Sequence, residues 1–452
     1  MSRSSTLAIL CITALAGTAL AFPTPGPDVI VGDLHDVLAY GQTGGISAFS
    51  VGTVSCNIGN QRLSWISGNN QHPVIGTNMF RYKVVNGAGR FEQIGQSWLK
   101  HGFYALSGSL CSPCGDPTDG TQLGVGCSDP YSASLNGSQS NLGPRSQVNA
   151  STGYYPFPVT GVTSPAAIIG RRLQVRNTDL AAAENAGATY FVEGQYVSAD
   201  ECAYGAGAQF NNASFRRVNV SFASNQYNIA LNSTTQRQKA AIFAWRDVID
   251  STVNIQEQDV RSDGRFIIAH KVTQVAPNRW TYEYALQNLN SDRGAGSFTV
   301  NFPCSALQQD VGFNASFSHS GEPYDNSPWA ANFSTPGQVT WATAQNFTQN
   351  PNANALRWGT MNNFRFTTNR PPRNGTATIG LFKPGSGATI SFGVQVPRSM
   401  SDFNADNITD FFDYLDFVQA FSDSSMTADT DGDGTLDFFD YLDFVTAFSA
   451  GC

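Results

Sequence analysis

Two acidic segments near the C-terminus repeat at an offset of 27 residues, and their oxygen-bearing side chains fall at the spacing of metal ligands. The first offers Asp402, Asn404, Asp406, Ile408, Asp410 and Asp413; the second offers Asp429, Asp431, Asp433, Thr435, Asp437 and Asp440. Calcium is a hard cation that takes six to eight oxygens. A twelve-residue loop supplies them with side chains at positions 1, 3, 5, 9 and 12 and a main-chain carbonyl at position 7, here Ile408 and Thr435. Position 6 must turn sharply with positive φ. Gly434 suits it, and Asn407 is the next best residue. The segment is therefore expected to bind two calcium ions.

After each loop comes a run with helical spacing. Phe411, Phe412, Leu415, Val418 and Phe421 recur at steps of three and four, matched by Phe438, Phe439, Leu442, Val445 and Phe448. A disordered acidic tail would be poor in aromatics; this one is rich in them, in register. In these residues the segment resembles a type I dockerin, two loop-helix calcium units in tandem. It is closest to the variant that ends exported bacterial proteins, with an FFDYLDFV-like helix and a terminal Gly451-Cys452. The resemblance covers residues 401–452 only. It implies a small α module and a cohesin-like or cell-surface anchoring protein as partner. Two departures stand out. Both loops carry Phe-Phe at positions 10 and 11, where ordinary dockerins read a cohesin with small polar residues. Thr409 fills a position that is usually apolar and that Leu436 fills in the second loop. With Asn407 and Thr409, the first loop is expected to be the weaker site.

Elsewhere the chemistry is sparse. Seven cysteines follow the first twenty residues: Cys56, Cys111, Cys114, Cys127, Cys202, Cys304 and Cys452. Six of them in one body fit three disulfides, with the connectivity open. Cys111, Cys114 and Cys127 with His101 would also make a zinc set; export favours the disulfides. His35 sits between Asp33 and Asp36, but no H-x-H, H-E-x-x-H or G-x-S-x-G occurs. Asp129, Glu184, Glu193 and Glu201 are carboxylates of the kind a glycosidase pairs, and nothing in the sequence selects two of them.

The elements that must carry these residues can be read more coarsely. Arg3, the apolar run Leu7 to Leu20 and Ala19-Leu20-Ala21 form a signal peptide over residues 1–21. No later stretch is apolar enough to span a membrane. The net charge is −8; the twelve Asp of residues 401–452, unaccompanied by Glu, Lys or Arg, leave the body at +4. A nearly neutral body implies neither nucleic acid nor an anionic surface as partner. Abundant Gly, Asn, Ser and Thr with Phe and Tyr favour a mainly β chain. Residues 22–165 read as a Cys- and Gly-rich β region. Residues 166–261 read as a second β region, or as a continuation of the first, containing buried strands at Ala188 to Val197 and Ala240 to Arg246. Residues 262–397 read as a β-sandwich domain, with hairpins around Ala276–Arg279 and Lys383–Gly387. Residues 398–452 are the calcium module. The expected function is a secreted, non-enzymatic surface, matrix or glycan-binding protein, displayed or assembled through its tail. The alternative is an extracellular polysaccharide-degrading enzyme, a glycoside hydrolase or lyase, carried by a dockerin.

Overall fold

The computed structural model describes residues 25–161, 167–205, 207–303, 306–406 and 408–450. The signal peptide, Cys304, Asn407, Gly451 and Cys452 lie outside them. The chain is 42% strand and 14% helix, well above the roughly 20–25% strand of an average globular domain. Among the described residues no helix is long and apolar enough to cross a membrane.

The turn-rich N-terminal half curls into one antiparallel sheet. Its main strands are β1 (Val29–Thr43), β2 (Ile46–Asn57), β3 (Val74–Val85), β4 (Ala88–Gln96), β5 (Leu173–Arg176), β6 (Thr189–Val197), β7 (Ala213–Ala223) and β8 (Gln226–Leu231). They run in the order β1-β2-β5-β4-β3-β6-β7-β8, so both predicted N-terminal β regions feed a single sheet. Three register shifts between β1 and β2 bend the first strand, as bulges do at barrel rims. Side chains, not a ladder, close the remaining gap to β1. Ser214 Oγ donates to Val31 O (2.7 Å), Arg216 Nη1 to Leu34 O (2.6 Å) and Arg237 Nε to Gly32 O (2.5 Å). The enclosed core includes Val31, Phe49, Trp65, Met79, Val192 and Tyr196.

The next segment forms two five-stranded antiparallel sheets around one core. Their strands are β9 (Asn254–Asp259), β10 (Arg265–Ala276), β11 (Arg279–Asn288), β12 (Ala295–Asn301), β13 (Gln309–Ala315), β14 (Ala330–Asn332), β15 (Gln338–Ala342), β16 (Thr360–Thr368), β17 (Pro372–Leu381) and β18 (Thr389–Pro397). The sheet orders are β9-β10-β11-β16-β13 and β14-β15-β12-β17-β18. Phe298 of one sheet stacks on Phe364 of the other at 4.2 Å. The first sheet begins at Asn254, in residues that the sequence pattern assigns to the preceding region. Strand β11 alternates in sequence, Trp280-Thr-Tyr282-Glu-Tyr284, yet both its faces are buried. Tyr282, Tyr284 and Leu286 enter the sandwich core, while Glu283 faces the barrel and meets Arg90 (2.6 Å) and Arg365 (3.5 Å).

The two units share a seam. Phe80, Phe91, Phe191 and Phe215 from the outside of the barrel pack on Ile267, Ala269, Ala285 and Met361 from the outside of the sandwich. Ala240 to Arg246, expected as a buried strand, is buried but turns on itself, with Phe243 N bonded to Ala240 O and Ala244 N to Ala241 O. It ends in the short helix Trp245–Ile249. Small alanines let this segment fill the wedge between the units, where no strand neighbour is available.

The seam also buries charge. Arg145 is held by Ser97 O (2.7 Å), Thr77 O (3.0 Å), Asn78 Oδ1 (2.8 Å) and, across the seam, Gly359 O (3.3 Å). Burial brings its pKa down to about 10. Glu193, fully buried, accepts from Asn78 Nδ2 (2.7 Å) and Ala241 N (2.6 Å). Each buried acceptor left without a donor costs about 1–3 kcal/mol. Arg145→Met should therefore remove about 3 kcal/mol or more and split denaturant unfolding into separate barrel and sandwich transitions. A single transition with an unmoved midpoint would refute this role.

Asp129 makes the barrel pH-sensitive. It is 2% exposed, and burial pushes its carboxyl up to about 7 against the opposing Leu106 N–H. The folded state thus holds this proton more tightly than the unfolded chain, whose carboxyl titrates near 3.8. Its contribution is present at low pH and is lost as pH rises from about 4 through 7. Asp129→Asn retains the acceptor for Leu106 and should remove this slope. The variant should gain on wild type across that window, by at most about 4 kcal/mol at roughly 1.4 kcal/mol per pKa unit. Parallel stability profiles would show that Asp129 does not titrate there.

Candidate metal centre

The tail folds as two loop-helix units, with helices α1 (Phe411–Ser422) and α2 (Phe438–Ala450). Each helix starts on a loop carboxylate. Asp410 Oδ1 accepts from Phe412 N (2.8 Å), and Asp437 Oδ1 from Phe439 N (2.7 Å). The twelfth-position carboxylates are buried, Asp413 at 0% and Asp440 at 1%, and they reach back across their loops. Asp413 accepts from Asn404 N (3.0 Å) and Asp410 N (2.9 Å); Asp440 accepts from Asp431 N (3.3 Å) and Asp437 N (2.9 Å). Position 3 bonds position 5 in both loops, and position 5 bonds position 7. The two repeats thus fold into one hydrogen-bond pattern.

In the second loop the ligand atoms of Asp429, Asp431 and Asp433 all lie within 4.8 Å of one another. Burial and the neighbouring Asp433, Asp440 and Asp429 raise the Asp431 pKa, with the Asp433 N–H opposing. Carboxylates gathered this closely repel one another, and hard oxygens around a small space fit calcium. The donor set therefore suits the ion on chemistry and spacing. Gly434 has φ +89°, as position 6 requires. The structure also reveals a demand at position 4 that was not anticipated: Gly432 has φ +73° there, and its counterpart in the first loop is Ala405 at φ +66°. An alanine in that conformation is strained by about 1–2 kcal/mol, a further reason for a weaker first loop. Its signal in the sequence is Ala405 standing where the repeat has Gly432.

The apolar residues divide differently from the expectation. Phe417 and Phe444 stack at 3.9 Å as the centre of a small core with Met400, Ala428 and Ala447. Tyr414, Phe421, Tyr441 and Phe448 pack around it. Phe411, Phe412, Phe438 and Phe439 are 63–66% exposed, with Leu415 and Leu442 beside them. The stripe that Asp413 and Asp440 share is the inward one, because these acids must close the loops. The Phe-Phe pairs are rotated out to solvent.

The remaining candidate residues lie elsewhere. Cys56–Cys111 and Cys114–Cys127 are disulfides, so these cysteines have no thiolate for zinc. His101 is buried beside His72 and Tyr155, its pKa lowered to about 3 by burial. The expectation of a third bridge fails at Cys202, which is a free thiol packed against Ala150 in the barrel; burial pushes it up to about 12. His35 meets the adjacent Asp36 at 3.2 Å. Of the four carboxylates, Asp129, Glu193 and Glu201 are at most 2% exposed and Glu184 is on the surface. They do not form an open pair.

No protein-family model matches the chain, and no curated protein matches it. Among solved structures, a serine-rich repeat protein (Srr2) from Streptococcus agalactiae aligns with 83% of this chain and 94% of its own, at 7% identity and a TM-score of 0.21. The N-terminal domain of the Streptococcus gordonii adhesin Sgo0707 aligns with 82% and 96%, at 8% identity and a TM-score of 0.17. Both scores are too low to indicate a shared fold.

Proposed function

We propose that this chain is an exported surface protein, anchored or assembled extracellularly through a tail that folds around two calcium ions. The repetition of one hydrogen-bond pattern in two loops 27 residues apart carries this reading. The two loops share Asp at positions 1, 5, 9 and 12 and differ at positions 2, 3, 4, 6, 7 and 8, so the pattern follows the oxygen-bearing positions. The ligands would be Asp402, Asn404, Asp406, Ile408, Asp410 and Asp413 in the first site. In the second they would be Asp429, Asp431, Asp433, Thr435, Asp437 and Asp440.

The exposed phenylalanine pairs supply the docking surface. Apolar area of this kind, left in water by a small domain, marks an interaction site. Aspartates surround it and no tail cation offsets them, so the partner should be an anchoring protein with an apolar groove rimmed by Lys or Arg. The body is then the displayed part, a surface, matrix or glycan-binding unit. The junction of barrel and sandwich suits that role by presenting both units as one rigid piece.

Calorimetry on the full chain should find two calcium ions. Asp429→Ala or Asp440→Ala should remove one and leave the first site. Ala405→Gly should tighten the weaker site about five- to thirtyfold, the equivalent of the 1–2 kcal/mol of relieved strain. A stoichiometry of zero would overturn the calcium reading. Replacing Phe411, Phe412, Phe438 and Phe439 with Asp should keep both ions but release the protein from the producing cell's surface fraction into the medium; equal retention would refute the docking face.

A further inference from the structure

The tail does not hang free of the body. Its second loop rests against one end of the sandwich, where Arg370 Nη1 donates to Thr430 O (2.8 Å). Gly432 packs so closely on the turn between β10 and β11 that a Cβ there would lie 3.2 Å from Asn278 Cβ. Arg370 is 6% exposed, and its guanidinium is already committed to this contact. Thr430 stands at position 2 of the loop, which contributes no ligand atom. The twelfth-position acid holds it from the other side. Thr430 N donates to Asp440 Oδ1 (2.7 Å), and its hydroxyl lies 2.9 Å from Asp440 O and 3.2 Å from Asp440 Oδ1. A short chain of hydrogen bonds thus runs from Arg370 through Thr430 and ends on a proposed ligand. The first loop is built otherwise. Phe403 stands at its position 2, and that ring packs inward on Phe417 and Phe444 at 5.5 and 6.0 Å.

We propose that the sandwich completes the second calcium site, with Arg370 and Thr430 as positioning residues that hold Asp440 in place. Tail docking and calcium binding at this loop then strengthen each other, while the first loop binds independently of the body. The inference rests on the calcium reading above and adds the chain's own sandwich to it. A carboxylate fixed before the ion arrives loses less freedom on binding. Hydrogen-bonded residues behind metal ligands commonly change affinity about ten- to a hundredfold. The positive charge of Arg370 works against a cation, but weakly. The tail carboxylate that offsets it most is Asp443, ahead of Asp431, and Asp443 is outside the ligand set. The positioning effect therefore wins. The coupling is reciprocal: docking tightens the ion by the same factor as the ion tightens docking.

The test is calcium calorimetry on the full chain in two backgrounds, Asp413→Ala, which leaves the second loop to bind, and Asp440→Ala, which leaves the first. With the second loop alone, Thr430→Val and Arg370→Met should each weaken binding about tenfold. Thr430→Ser, which keeps the hydroxyl, should stay within about threefold of its parent. With the first loop alone, none of the three should matter. Hydrogen exchange on the otherwise unaltered chain gives a reading independent of affinity. Calcium should slow exchange of the Asn278 and Arg279 amides, beside the docked loop, at least about threefold in wild type and less in Arg370→Met. Equal losses at both loops, or parental affinity in Arg370→Met, would overturn the proposal. Unchanged exchange at Asn278 and Arg279 in a wild type that takes two ions would sink the coupling and spare the calcium reading. A wild type that takes no ion would end both.

Discussion

The carbonyl of Gly359 is the point on which the body turns. Asn78, Gln93 and Arg145 all donate to it from the barrel, at 3.2, 3.3 and 3.3 Å. Gly359 itself has φ +67°, and a Cβ there would lie 2.6 Å from Arg145 Nη1. No other residue type allows so close an approach at that backbone angle. Around this contact the seam is polar, and its two buried charges, Arg145 and Glu193, are each held by several partners. Such a network is costly when half satisfied and specific when complete. It fixes one mutual orientation of barrel and sandwich, which packing of Phe80, Phe91, Phe191 and Phe215 alone would leave free to slide.

The tail obeys a different constraint. Its twelve aspartates have no cation among them, so its internal electrostatics oppose folding. Its core is small: one Phe417–Phe444 stack and a few neighbours. A fragment of that size buries too little apolar surface to outweigh the entropy of ordering its chain. The loops ease part of the repulsion by turning carboxylates onto their own main-chain N–H groups, and Arg370 reaches in from the body. The rest of the repulsion stays concentrated where Asp429, Asp431 and Asp433 converge.

Much of this was legible in the sequence, for identifiable reasons. The two loop-helix units are local: the hydrogen bonds of each loop close within twelve residues, so spacing encodes them directly. The hairpins around Ala276–Arg279 and Lys383–Gly387 are local too, and their strands appear as β10–β11 and β17–β18. What escaped depends on distant partners. Strict alternation in β11 ordinarily means one wet face, and only the barrel makes Glu283 a buried residue. Ala240 to Arg246 has the apolar density of a strand, but its neighbours are two sheet faces and not a strand edge. The helical period located α1 and α2 without giving their phase, since Phe411 and Phe417 are equally apolar. Asp413 decides the phase by having to face its own loop. Cys202 could not be told from a bridging cysteine without its half-buried position against Ala150.

That phase has a consequence for the whole molecule. If the tail served only to fold and bind metal, Phe411, Phe412, Phe438 and Phe439 would be costly where they stand. Polar residues at helix starts are as good for capping and far better for solubility. Their neighbours Tyr414 and Tyr441 already complete the inner layer, with hydroxyls 3.3 Å apart, so the core does not call for them. The first of each pair stacks on the tyrosine of its own helix, Phe411 on Tyr414 and Phe438 on Tyr441, which holds that ring in place. Rings fixed on a rigid helix lose little entropy when a partner covers them. The loops that position these helix starts, through Asp410 and Asp413 in one and Asp437 and Asp440 in the other, therefore also fix where the exposed rings stand.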